Sequence, residues 1–193
     1  MKATIERLQL LQENLLQPNF FNKKGLGNEM SFYIFDYDPQ DELLIRQEFP
    51  EILEHVEKNR PDVRFQIFDL YEIILDFFEK RRYMEKNFKA ESKLGSDKVI
   101  RKMQEGLKIA TERDEIIQHI QDNLDPQAVI VLTGVGKSFP ILRSHVILNS
   151  LQSILQNQSL LMLYPGKFEN NTLKLFDIFH DDNYYRAFRI VER

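Results

Sequence analysis

No cysteine occurs among the 193 residues, which excludes a disulfide framework and any thiolate metal site and fits a chain kept in the cytoplasm. Histidine is scarce too. His55, His119, His145 and His180 are the four present, and none sits in a two-His metal spacing such as H-x-x-x-H, so a zinc enzyme is not expected. Long apolar runs are also missing. AVIVL and the stretch around SLLMLYP fall well short of the roughly 18 residues that a membrane span requires. The opening MKATIERLQLLQENLLQ has neither the continuous apolar centre nor the small-residue cleavage site of a signal peptide. Neither a membrane nor a secretory route is expected.

What is present is enough apolar material for a sizeable core: 42% hydrophobic residues, with 15 Phe and 7 Tyr. At this length that predicts one domain over residues 1–193. The formal charge of −4 gives no global reason to expect nucleic-acid binding. Its distribution is uneven, however. Residues 79–108 carry ten basic side chains (Lys80, Arg81, Arg82, Lys86, Lys89, Lys93, Lys98, Arg101, Lys102 and Lys108) against five acidic ones, and the rest of the chain is left at −9. Residues 79–123 therefore read as a basic helical segment set into an acidic body. It can meet a phosphate backbone or an acidic partner, or it can be a solvated face laced with ion pairs.

Periodicity predicts a helix over residues 4–16, with Ile5, Leu8, Leu11 and Leu15 on one face and Pro18 as its stop. The glycine-containing loop NKKGLGNE follows. SFYIFDYD, residues 31–38, is a buried strand. Ile45, Phe49, Ile52, Leu53 and Val56 mark a helix that Pro50 is expected to kink or divide. VRFQIFDL is a second strand running into the helical YEIILDFFEKRRY. Residues 99–123 read as one further helix, stopped at Asp125 and Pro126. AVIVL is a third strand, residues 139–156 a helix, and SLLMLYPG a fourth strand ending at Pro165 and Gly166. NTLKLFDIF and YYRAFRIV close the chain as strand-like segments of mixed alternation, the first of which can also be read as a short helix. Strands alternating with helices predict an α/β fold with a mainly parallel sheet flanked by helices, degenerate P-loop or Rossmann-like in character.

The stretch VIVLTGVGKSFP holds the most suggestive motif. GVGKS matches the end of the phosphate-binding loop G-x-x-x-x-G-K-[ST], whose amides and Lys wrap phosphates and whose hydroxyl helps hold Mg2+. Counting back from Gly136, Lys137 and Ser138, the first glycine should fall at position 131, where the chain has Val131. FYIFD resembles the apolar strand whose Asp holds Mg2+ beside such a loop, yet here it precedes the glycine turn instead of following it. Both departures argue against nucleotide hydrolysis. One reading has Gly134 and Gly136 as structural, with Ser138 capping a helix that begins near Phe139. The other has Gly134, Gly136, Lys137 and Ser138 holding an anion without catalysis, or a nucleotide with Asp36 on its Mg2+.

At the carboxyl ends of the strands, Asp36, Asp38, Asp69, residues 133–138 and residues 164–166 are expected to converge. DYDPQDE gathers Asp36, Asp38, Asp41 and Glu42, which either hold Mg2+ or simply open a helix. His145, Asn149, Gln152 and Gln156 form one uncharged polar stripe that can face water or a partner. In DDNYYRAFR, Asn183, Tyr184, Tyr185 and Arg186 have the composition of an interface anchor, or of an edge strand with cross-strand pairs. No catalytic constellation is complete, and no cofactor is expected.

Three blocks together, GLGNEMSFYIFDYDPQDE, LTGVGKSFPILRSHVILNSLQ, and YPGKF with DDNYYRAFR, resemble the BrxB family of BREX bacteriophage-exclusion systems. The resemblance spans essentially the whole chain and is weakest over residues 79–123. It implies a bacterial cytoplasmic defence component, working beside a DNA methyltransferase, a large ATPase and the phosphatase-like PglZ, with no established catalytic activity of its own. The family turn reads T-G-V-G, then variable residues, then F-P-x-L-R-S-H. The shared positions are Thr133, Gly134, Val135, Gly136, Phe139, Pro140, Leu142, Arg143, Ser144 and His145, and the resemblance leaves Lys137 and Ser138 as the less characteristic ones. It therefore implies protein–protein contacts, PglZ foremost, through Arg143, His145, Asn149 and Gln152 and the DDNYYRAFR cluster, with DNA met indirectly through the complex.

Overall fold

In the computed structural model, residues 2–18, 20–21, 32–155, 158–181, 183, 185 and 187–193 are described, residues 2, 152 and 153 by their backbone alone. The predicted loop NKKGLGNE, Gln156, Tyr184 and Arg186 lie outside them. Strands β1 (Phe32–Tyr37), β2 (Phe65–Asp69), β3 (Val129–Thr133), β4 (Leu160–Glu169) and β7 (Ala187–Arg189) line up in the order β2-β3-β4-β1-β7, all parallel. Two short strands, β5 (Thr172–Leu175) and β6 (Phe179–Asp181), continue antiparallel from the far end of β4, giving seven strands among the described residues. The predicted α/β fold with a mainly parallel sheet is what the chain adopts.

All six residues of β1 are buried, because helices cover both faces and alternation of side chains sends apolar groups each way. On one face Tyr33, Phe35 and Tyr37 join Val131, Leu161 and Leu163 beneath α1 (Lys2–Leu16) and α2 (Glu42–Asn59). On the other, Phe32, Ile34, Ile130, Leu132, Leu160 and Met162 lie under α3 (Leu70–Lys80), α6 (Glu115–Asp122) and α8 (Ser144–Ile154). Each fully buried side chain of this size stabilises by roughly 1.5–3 kcal/mol. The connection after β1 leaves toward one face and that after β3 toward the other, which opens a crevice at the carboxyl ends of the strands.

Several boundaries differ from expectation. Pro50 lies inside α2 without dividing it; its face is exposed, so the carbonyl it leaves unpaired can bond water. Ile5 is exposed on α1, and Arg7 and Thr4 are buried instead. The single helix expected over residues 99–123 is two, α5 (Ser96–Leu107) and α6, because Lys108 closes the first in a left-handed conformation and Asp114 starts the second. The Asp114 carboxylate accepts from the amides of Ile116, Ile117 and Ala110. Between α3 and α5, α4 (Met84–Leu94) packs on α5 and buries none of its residues. Pro165 and Gly166 do not end β4: the strand runs on to Glu169 while its partner changes from β1 to β5. Gly166 has φ 151°, and a Cβ there would meet the Lys174 carbonyl oxygen at 2.1 Å, so only glycine allows the crossing.

Candidate interaction site at the carboxyl end of the sheet

The glycine turn begins where Thr133 ends β3. Gly134 is left-handed (φ 73°), and a Cβ on it would fall 2.3 Å from Asp69 Oδ1. Residues Val135–Ser138 then form a single helical turn, α7. Ser138 does not cap the next helix as expected. It is buried, and its hydroxyl donates back to the Val135 carbonyl at 2.9 Å. The helix α8 starts only at Ser144, because Phe139 precedes Pro140 and takes an extended backbone (ψ 139°) that ends α7.

Lys137 reaches across to β2 and α3. Its Nζ lies 2.7 Å from Asp69 Oδ2 and 3.4 Å from Glu72 Oε1, above the Tyr71 ring. Asp69 also caps α3, accepting from the Tyr71 and Glu72 amides. Two carboxylates thus face the ammonium, and Lys137 binds the β2–α3 corner to the glycine turn. Gly136 is packed just as closely, with the Phe176 ring and Pro165 each 2.9 Å from where its Cβ would be. The expected convergence is partial. Asp69, Thr133, Gly134 and Lys137 do share a cleft with Tyr37, Glu42 and Arg46, but its volume is about 180 Å³, well under the roughly 300–1,000 Å³ of ligand pockets.

The acidic cluster disperses. Asp36 is fully buried, with Oδ1 3.1 Å from Arg7 and Oδ2 3.1 Å from both Arg189 and the Phe168 amide. The Arg7 guanidinium also donates to the Asp36, Val191 and Glu192 carbonyls and lies over the Phe35 ring. Arg189 donates to the Phe168 carbonyl as well. Burial pulls the Arg7 guanidinium below its ordinary value while Asp36 opposes the shift. The Mg2+ role expected of Asp36 is therefore replaced by two guanidiniums, and β4 separates its strand from the glycine turn. Asp38 caps the turn at Pro39–Asp41. Asp41 accepts from the Thr4 hydroxyl at 2.5 Å. Glu42 accepts from the Tyr37 hydroxyl and pairs with Arg46; burial first, then this carboxylate, push the Tyr37 hydroxyl far above its usual range. Among the described residues, no group of three or more His, Asp or Glu is placed to hold a metal ion.

Beside α7 lies an aromatic ledge that the residue pattern did not reveal. The Phe139 ring lies 4.7 Å from Phe179 and 6.2 Å from Phe176, centroid to centroid. Next to them Ile178 is 69% exposed and Phe179 46%. A polar edge adjoins the ledge. His145 Nδ1 is 3.2 Å from Asp181 Oδ2, which also accepts from the Tyr185 hydroxyl at 2.5 Å, while Asn183 donates to Oδ1 through both its amide and its side chain. Burial, with Asp181 adding to it, raises the Tyr185 hydroxyl far above its usual range and keeps it a donor. Tyr185, expected at an interface, is in fact 3% exposed and belongs to the core. Arg143, Asn149 and Asn183 are exposed and His145 half-buried. The ledge was legible only as FDIF in a segment of mixed alternation. Its chemistry is apolar docking with hydrogen bonding at the margin.

Comparison with known proteins points in one direction. The family described as BREX protein BrxB matches residues 66–190. A "BREX protein BrxB" of Bacillus cereus (strain H3081.97) is 40% identical over 193 residues, covering 100% of both chains. Another of the same description, from Escherichia coli O9:H4 (strain HS), is 32% identical over 185 residues, 96% of this chain and 90% of the relative. No solved structure matches.

Proposed function

The chain belongs to the BrxB family, and from that premise we propose that it is a non-catalytic subunit of a BREX assembly that docks other components, PglZ foremost, through the ledge of Phe139, Phe176, Ile178 and Phe179. The observation that carries this reading is the clustering of exposed Ile178 and Phe179 with the rings of Phe139 and Phe176. Apolar side chains left in water beside a polar margin have the make-up of an interface core and its rim. Here the rim is Arg143, His145, Asn149 and Asn183. The Asp181 contacts hold β6 against α8 and so preset the ledge before a partner arrives. Among the described residues no helix is long and apolar enough to cross a membrane; the assembly works in the cytoplasm, and DNA meets this subunit through the complex.

Co-purification decides the matter. Tagged wild-type chain, expressed with the other components, is expected to bring down PglZ, and Phe179→Asp or Ile178→Asp to lose it while melting normally. Recovery of the wild-type chain alone under gentle conditions, or undiminished capture by both variants, defeats the proposal.

A further inference from the structure

The helix α4 buries none of its residues, and α5 buries Val99 and Leu107; Met84, Met103, Leu107 and Gln104, which donates to the Pro140 and Ile141 carbonyls, anchor the root of the hairpin and leave its outer turns exposed. At its root the cations are matched internally: Lys80 with Asp76, and Arg81 and Lys108 both with Glu115. Farther out the matching stops. Lys86, Lys89 and Lys93 fall at i, i+3 and i+7 on α4, and Lys98, Arg101 and Lys102 at i, i+3 and i+4 on α5. On α5 the three lie on the side away from Val99, Met103 and Leu107, and all six side chains are exposed. Among the described residues, the one ion pair these six make is Lys89 with Glu85, at 3.9 Å between two largely exposed groups.

We infer that the outer face of the α4–α5 hairpin is a docking surface for the phosphate backbone of duplex nucleic acid, read without sequence preference. Charge complementarity selects the occupant: six cations against Glu85, Glu91, Asp97 and Glu105 leave the hairpin a surplus of +2, set on a body that is net acidic. Composition separates a nucleic acid from an acidic protein. Five of the six groups are lysines, a residue depleted in protein interfaces but standard in phosphate contacts. Tyr83 lies under Lys86 at 5.0 Å, and Phe88, one position from Lys89, falls by helical spacing on a different side of α4 from the three lysines. The inference goes beyond the docking reading above, in which DNA meets only the assembly.

The test is fluorescence anisotropy of the purified full chain with a labelled duplex DNA of about 20 base pairs, between about 50 and 200 mM salt. The wild-type chain is expected to bind with a dissociation constant in the micromolar range at the low-salt end, and log K is expected to fall linearly with log salt. Lys86→Glu with Lys89→Glu and Lys93→Glu is expected to weaken binding at least about tenfold and to flatten the salt slope by about 3. All three sites are exposed, so an unchanged melting curve shows that the variant folds; Lys98→Glu with Lys102→Glu gives an independent second arm. No binding at low salt overturns the inference, as does a salt slope unchanged in both variants. Competition by polyglutamate as effective as by unlabelled DNA assigns the face to an acidic protein instead. Because Phe179 and Ile178 are untouched, capture of PglZ by these variants is expected to persist, which separates this result from the fate of the docking proposal.

Discussion

Two regions of this molecule handle positive charge in opposite ways. At the carboxyl end of β1, Arg7 and Arg189 lie largely buried and share the Asp36 carboxylate; Arg7 also donates to the Asp36, Val191 and Glu192 carbonyls, and Arg189 to the Phe168 carbonyl and the Glu192 carboxylate. On the α4–α5 hairpin, six cations stand in water with a single weak ion pair among them. The first arrangement ties α1, β1, β4 and β7 together and leaves no charge for a ligand. The second contributes little to the fold, which leaves its charge available. Guanidiniums suit the first because their fixed fork can satisfy several acceptors at once, and ammoniums suit the second because they stay hydrated until a counter-charge arrives.

The contrast can be broken most forcefully at Asp36. Asp36→Ala leaves two guanidiniums without their carboxylate and is expected to lower stability by about 3–5 kcal/mol, measured by urea unfolding; a loss under about 1 kcal/mol would mean that the carbonyls alone suffice. Next comes Gly166→Ala on the adjacent strand, where a Cβ collides with backbone, at an expected cost of about 1–3 kcal/mol by the same assay. At the root of the hairpin, Asp114→Ala removes the cap of α6 and the partner of the Ala110 amide, for about 1 kcal/mol.

Smaller still is the pH effect at Glu115. The hydrogen bond from Lys108, then Arg81, holds its carboxyl below the usual glutamate range. Its stabilisation is thus present above that range and is lost as pH falls through the depressed value. Glu115→Gln should cost under about 1 kcal/mol near neutrality, and the gap in melting temperature from wild type should close as pH drops below about 4. Its neighbour Asp114 shifts the other way, since burial outweighs the amides it accepts from. At the outer end, Lys93→Ala should change stability by less than about 0.5 kcal/mol, although the same position matters for phosphate contact.

The central strands were legible because a parallel strand covered on both faces leaves an uninterrupted apolar run, as in FYIFDY and VIVLT. Features that depend on distant partners were not. Lys137 matched a phosphate loop by its neighbours, whereas its charge is met by Asp69, 68 positions away. Ser138 looked like a cap by position, yet the extended backbone imposed at Phe139 moved the helix start to Ser144. Tyr185 had the composition of an anchor, whereas its amide pairs with the Asn171 carbonyl, its hydroxyl with Asp181, and its ring lies in the core. The crossing at Gly166 was hidden for the same reason: glycine after proline reads as a stop unless the second partner is known.

The pairing of β1 carries a consequence for synthesis. This apolar strand leaves the ribosome well before its two neighbours, β4 and β7, which lie far later in the sequence. Until residues 160–189 have left the exit tunnel, the centre of the sheet cannot close, and an unpaired, apolar strand is held in the nascent chain. A ribosome stalled within residues 133–160 therefore releases a fragment with β1 unpaired on both sides, a substrate for chaperones or for aggregation. Any partner that needs the closed sheet can receive this chain only after β4 and β7 have been made.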